Sequence, residues 1–69
     1  MQDDNLIELG KRIRTIRKEN GISQERLAFL SGTDRSYMGR IERGEKNISV
    51  TKIYQICNAL NISPKELFD

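Results

Sequence analysis

The chain has 69 residues, with 12 Lys or Arg, 10 Asp or Glu and no His, and its formal net charge is +2. This length suits one domain with a small core, here residues 1–69. A single cysteine and no histidine exclude an internal disulfide and argue against a zinc site, so no cofactor is expected. The first ten residues lack the regions of a signal peptide, and no apolar run approaches the roughly 20 residues of a membrane span. We therefore expect a soluble, cytoplasmic protein that contacts no membrane.

Basic residues are concentrated in the first two thirds of the chain. Residues 11–46 carry ten Lys or Arg and five Asp or Glu, whereas residues 47–69 carry two of each. A surface that binds nucleic acid needs such a basic region. Charge alone nevertheless favours an ordinary solvated helical surface, so the charge is informative only where it coincides with a motif.

The first two predicted elements are helices. Apolar residues at helical spacing predict a helix over about residues 5–19, which ends at the Asn-Gly pair that follows. Ser23 is predicted to cap a second helix, because its side chain can accept a hydrogen bond from a backbone amide in the first turn. The inward side of this helix is predicted to carry Leu27, Ala28 and Leu30.

A short turn, residues 31–33, leads to the third helix. Asp34 is predicted to cap this helix, which runs to about Arg43 and is closed by the glycine after it. Met38 and Ile41 lie three residues apart and form its inward side. The second and third helices are therefore short and joined by a tight turn.

Two more helices complete the predicted fold. Ser49 caps the fourth helix, and Ser63 precedes a proline at the first position of the fifth, where a missing amide donor costs nothing. The apolar stripe of the fourth helix comprises Ile53, Ile56, Cys57 and Leu60. The cysteine in this stripe is predicted to be a buried, inert thiol. The fold class is thus all-α, a compact five-helix bundle.

The segment over about residues 23–43 has the arrangement of a DNA-reading helix-turn-helix, in which the second helix of the pair lies in the major groove. Arg35 and Ser36 open that helix, and Arg40 lies one turn further on the same side. Arg can bond both acceptors of a guanine and Ser can bond several bases, so we predict base contacts for all three. The alternative for the arginines is contact with phosphate only. Tyr37 is predicted either to contact DNA or to pack on the core.

Polar residues on both sides of this helix are predicted to bind phosphate. Gln24 is the first residue of the second helix, where its side chain and the helix N-terminus can donate to an anion. Arg43, Lys46 and Asn47 follow the third helix and can clamp the DNA backbone. Ordinary solvation of a loop is the alternative for these three residues.

Two residues depart from the pattern of a basic reading helix. Asp34 places an acid on the DNA side, where it acts as a cap, orients Arg35 or accepts from a cytosine amino group; we favour the cap. Gly39 lies inside a helix at a cost of about 1 kcal/mol relative to Ala. Our hypothesis is that its missing side chain allows close approach to the DNA backbone.

Three segments, LGKRIRTIRKENGISQERLA, SGTDRSYMGRIERG and NISVTKIYQICNALNISPKELF, resemble the helix-turn-helix domain of Cro, of the lambdoid phage repressors and of many small bacterial regulators, the XRE-like family. The resemblance covers residues 9–68 and is greatest to controller proteins of restriction-modification systems. It implies base contacts from the third helix and a phosphate contact by Gln24. It also implies an ion pair between Arg17 and Glu42, with a phosphate contact by Arg17 as a further option.

We expect such a domain to act as a homodimer on an inverted-repeat operator in double-stranded DNA, with half-sites about one turn (~34 Å) apart. The predicted dimer surface comprises Ile48, Ile62, Leu67 and Phe68, although one of the last two would complete the monomer core. An activator would also contact RNA polymerase, whereas a repressor would occlude it. No small-molecule ligand is expected.

The alternative is a protein-interaction module, such as an antitoxin or anti-repressor. An enzyme is excluded, because histidine, a nucleophile motif and a glycine-rich phosphate loop are all missing.

Overall fold

Five α-helices make up most of the structure, a computed structural model that describes residues 4–68. In chain order they are α1 (Asp4–Glu19), α2 (Gln24–Leu30), α3 (Arg35–Glu42), α4 (Val50–Leu60) and α5 (Pro64–Leu67). Over residues 4–68 no strand is present, which confirms the all-α prediction. No helix within residues 4–68 combines the length and the hydrophobicity that a membrane span needs. The outermost parts of the predicted domain, residues 1–3 and 69, lie outside the described residues.

Side-chain caps begin three of the helices where the sequence predicted them. Ser23, Asp34 and Ser49 each accept a hydrogen bond from the backbone amide three residues later, at 3.0, 2.7 and 3.0 Å. These bonds satisfy amides that have no partner within their own helix. Asp34 is therefore a cap, the role we favoured among its three options. At the other end of α4, Asn61 adopts a left-handed conformation with φ 58° and stops the helix.

The core lies between the helices and takes residues from all five of them. Its members are Ile13, Ile16, Leu27, Ala28, Met38, Ile41, Ile56, Cys57, Leu60 and Leu67. Cys57 is buried, as predicted. Burial, with a smaller effect of the Glu66 carboxylate, raises the pKa of the Cys57 thiol. The thiol therefore stays protonated and unreactive at neutral pH.

The inward side of α2 differs from the prediction at one residue. Leu30 is 42% exposed, whereas Ser31 is 1% exposed and faces the core in its place. The reason is helical geometry. At 100° per residue, positions 27, 28 and 31 point to the same side, whereas position 30 points away from it. The Ser31 hydroxyl is tolerated there because it donates to the Leu27 carbonyl at 2.7 Å.

Two glycines let α1 approach the end of α3 closely. A Cβ atom on Gly10 would lie 2.5 Å from the carbonyl oxygens of both Ile41 and Glu42. A Cβ atom on Gly44, which has φ +76°, would lie 2.6 Å from the Cα atom of Ile7. Both distances are far below van der Waals contact, so any side chain would push the helices apart. The position of α3 on the molecule thus depends on two residues without side chains.

Candidate nucleic-acid interface

The turn between α2 and α3 is held by backbone geometry and by one side chain from α4. Gly32 adopts φ +74°, and the Thr33 amide donates to the Ala28 carbonyl at 2.8 Å. The Lys52 ammonium donates to the Ser31 carbonyl at 2.9 Å. Local sequence signals indicated the turn, but the Lys52 anchor was missed, because no local pattern indicates a contact over 21 residues. The result is a helix-turn-helix in which one side of α3 is exposed to solvent.

The free side of α3 carries the residues predicted to contact bases. Arg35, Ser36 and Arg40 are exposed, whereas Met38 and Ile41 on the opposite side are fully buried. The structure therefore brings the three candidates together on one accessible surface. A shallow cleft beside them is lined by Gln24, Arg35, Ser36, Gly39 and Arg43. Base contact itself stays a prediction.

A buried ion pair fixes α3 to α1. Arg17 donates from Nε to Glu42 Oε2 at 2.7 Å and from Nη2 to Glu42 Oε1 at 3.1 Å, a two-bond arrangement. Its third nitrogen donates to the Ile22 carbonyl at 2.8 Å. The pair that the resemblance implied is therefore present, and it is almost fully buried. Every nitrogen of the Arg17 guanidinium already has a partner inside the protein.

The same carboxylate also holds Gln24, the predicted phosphate ligand. Gln24 donates from Nε2 to Glu42 Oε1 at 3.1 Å. Because a primary amide has two N–H groups, this bond leaves one donor for an anion. The bond from Gln24 to Glu42 was not predicted; the residues are 18 positions apart and no local pattern connects them. Glu42 thus orients a side chain at the rim of the cleft as well as the helix itself.

Gly39 lies at the floor of the cleft. A Cβ atom added there would be 3.2 Å from Arg43 Nη1 and 3.4 Å from Gln24 Oε1. The space over Gly39 is therefore occupied by two of the side chains predicted to bind phosphate. A methyl group at this position would require the ends of the Arg43 and Gln24 side chains to move, and close approach of the DNA backbone stays a hypothesis.

Tyr37 and the loop after α3 form the other side of the surface. Tyr37 is half-buried and packs against the core. The Lys46 ammonium lies over its ring, 5.5 Å from the ring centre, at the distance of a cation–π contact. Asn47 is exposed next to it. The Tyr37 ring thus packs on the core, which was one of the two alternatives predicted for it. Its contact with Lys46 keeps that ammonium near α3.

An acid lies between two of the arginines. Glu45 accepts from Arg43 Nε at 2.9 Å and from Arg43 Nη2 at 3.4 Å, and its Oε1 atom is 4.0 Å from Arg40 Nε. The hydrogen bond from Arg43 lowers the pKa of Glu45, and the same bond raises the pKa of Arg43. Glu45 therefore stays charged at neutral pH. The contacts of Glu45 with the arginines were not predicted, although its position two residues after Arg43 was an available signal.

The four residues predicted to form a dimer surface differ in exposure. Ile48 and Ile62 are half-buried and pack against the core. Leu67 is 3% exposed and belongs to the core, whereas Phe68 is 63% exposed. One of the last two thus completes the monomer, as anticipated. Because Leu67 is buried, it could add little area to a dimer contact. Phe68, the residue after it, is exposed and could add more.

Comparisons with known proteins agree with this geometry. The helix-turn-helix family model matches residues 13–67. Control protein C.BamHI of Bacillus amyloliquefaciens is 43% identical over 61 residues, which are 87% of this chain and 75% of that protein. Control protein C.SmaI of Serratia marcescens is 39% identical over 59 residues, 86% of this chain and 70% of that protein. The crystal structure of the restriction-modification controller protein C.AhdI from Aeromonas hydrophila matches with a TM-score of 0.93 and 50% identity, covering 96% of this chain and all of that one.

Proposed function

This chain belongs to the helix-turn-helix family of DNA-binding transcriptional regulators, and on that premise we propose that it is a restriction-modification controller that binds its operator as a homodimer. The observation that carries the proposal is the likeness to C.AhdI over 96% of the chain, at 50% identity. Members of this family regulate by binding DNA rather than by catalysis, so the side chains on the surface of α3 act as recognition groups.

In this proposal α3 enters the major groove and reads base edges. Arg35 and Ser36 lie at its N-terminal end, the part of such a helix that reaches the bases, and Arg40 follows one turn later. Arg35 would bond the two acceptors of a guanine, and Ser36 would bond a neighbouring base. Tyr37 would present its exposed edge to DNA while the rest of its ring packs on the core.

Phosphate groups on either side of the groove would be held by the ends of the motif. Gln24 keeps one amide donor free beside the N-terminus of α2. Arg43, Lys46 and Asn47 would bind the strand on the other side. The Arg17 side chain is only 10% exposed and its guanidinium is held by Glu42 and the Ile22 carbonyl, so we assign Arg17 to the positioning of α3.

The dimer would form at the end of the molecule that carries α5. Its contact would centre on Phe68, with support from Ile48, Ile62 and the exposed side of α4, where Val50 is 68% and Tyr54 53% exposed. A two-fold dimer would place two α3 helices in successive major grooves of an inverted repeat. As a repressor the dimer would occlude RNA polymerase, and as an activator it would contact it. We place the protein in the cytoplasm with its DNA, without a small-molecule effector.

Selection of binding sites from random duplex DNA, followed by titration at several salt concentrations, tests the proposal. We expect an enriched inverted repeat with half-sites about ten base pairs apart. We also expect a logarithmic salt dependence that steepens by roughly one unit for each phosphate contact. The absence of both enrichment and salt dependence would contradict the proposal and favour a protein-interaction module. Salt-dependent binding without enrichment would contradict the base contacts only.

A further inference from the structure

The loop that follows α3 holds Glu45 in a defined place against the proposed DNA surface. The Glu45 amide donates to the Arg40 carbonyl at 2.8 Å, and Gly44 before it has the positive φ that this turn requires. We propose that Glu45 determines specificity: its carboxylate lowers affinity for any DNA sequence and places the Arg43 guanidinium for use in the operator complex. This inference rests on the proposed function and names a residue outside the predicted contacts.

The first part of the inference follows from charge. The Glu45 carboxylate takes two hydrogen bonds from Arg43 and lies 4.0 Å from Arg40, so a single anion faces two of the cations on the proposed DNA surface. Nonspecific affinity comes almost entirely from cations that replace the counterions of DNA. An acid at this position offsets part of that attraction, because a phosphate group must compete with the carboxylate for Arg43.

The second part follows from placement. The bonds from Glu45 engage Nε and Nη2 of Arg43, while Nη1 lies over Gly39, 3.2 Å from where a Cβ atom would be. One edge of the guanidinium is thus held by Glu45 and the other projects into the cleft beside Gln24. In a nonspecific complex the placement of Arg43 adds little affinity, because the protein is not held in one fixed position on the DNA. In the operator complex, where α3 is seated in the groove, a guanidinium already in place loses less conformational freedom on binding.

The two effects have different consequences for different DNA, and the Glu45→Gln variant separates them. Removal of the charge should tighten binding to a nonspecific duplex about fivefold at moderate salt and steepen its salt dependence by about one unit. Binding to the selected operator should change less than about twofold. The stronger attraction between protein and DNA is offset there, because Arg43 is no longer held in place before binding. The ratio of operator to nonspecific affinity should therefore fall.

The control variant is Glu8→Gln, which removes the same charge from α1 at a site 77% exposed and paired with Lys11 at 3.9 Å. It should leave the affinity ratio unchanged. The Arg43→Gln variant provides the second comparison: in that background, Glu45→Gln should no longer lower the ratio, because the guanidinium that it places is gone. Circular dichroism verifies that each variant is folded.

Three results would overturn the inference. Equal tightening on both DNAs would mean that Glu45 contributes charge alone. Weaker nonspecific binding by Glu45→Gln would mean that the acid assists phosphate contact. A fall in the ratio that persists in the Arg43→Gln background would mean that Glu45 acts through another residue. If the unsubstituted protein shows no salt-dependent DNA binding, the proposed function itself fails, which is distinguishable from all three.

Discussion

Replacement of Glu42 by Gln should destabilise the fold strongly, because it breaks the buried pair with Arg17. Gln has nearly the same shape, so the variant changes charge and leaves volume intact. It leaves the Arg17 guanidinium as a buried cation without a counter-charge, because Arg17 is 8% and Glu42 6% exposed. Breaking a buried pair from one side costs about 3–5 kcal/mol. Arg17 keeps its 2.8 Å bond to the Ile22 carbonyl, so we expect the lower end, about 3 kcal/mol.

Urea and thermal unfolding followed by circular dichroism measure this loss. For a domain of this size, about 3 kcal/mol corresponds to a fall in Tm of about 12 °C or more. The matched control is Glu8→Gln, which breaks the exposed Lys11–Glu8 pair and should cost less than about 0.5 kcal/mol. A loss below about 1 kcal/mol in Glu42→Gln would refute the reasoning, since the pair would then behave like a surface contact.

Three further outcomes follow from the packing. Gly10→Ala should destabilise the fold by about 1–3 kcal/mol in urea titration, because its Cβ would meet two backbone carbonyls at 2.5 Å; unchanged stability would contradict the close helix contact. Gly39→Ala should raise stability by about 0.5–1 kcal/mol yet weaken operator binding, as Gln24 and Arg43 must shift; undiminished binding would contradict this role. Because burial raises the pKa of Cys57, stability should be full below the pKa of an unfolded thiol, about 8.5, and fall at higher pH; a flat profile in urea titrations would contradict this effect.

Local signals were sufficient to predict the helices. Ser23, Asp34 and Ser49 act within three residues of themselves, so a single sequence contains all the information about these caps. The spacing of apolar residues likewise predicted which side of α1 and of α4 is buried. The error at Leu30 arose because α2 has only 7 residues, too few for periodicity to define which side faces inward.

Contacts between distant residues set the limit of sequence reasoning at the interface. The acidic side chains that bond the polar residues near α3 are set by the way α1 packs against α3. This packing requires Gly10. The Arg17–Glu42 pair, 25 residues apart, was anticipated from family resemblance alone. The bond from Gln24 to Glu42 was not implied by that resemblance. Exposure of Arg35, by contrast, follows from the buried positions on the opposite side of the same helix.

Recognition of bases by α3 is tested by titrating the unsubstituted protein and an Arg35→Ala variant against the selected operator and against operators changed one base pair at a time. If Arg35 bonds a guanine, the variant should lose about 1–3 kcal/mol of affinity for the operator and stop discriminating at one position in each half-site. A uniform loss across all the sequences, accompanied by a shallower salt dependence, would assign Arg35 to phosphate and contradict base reading at this position.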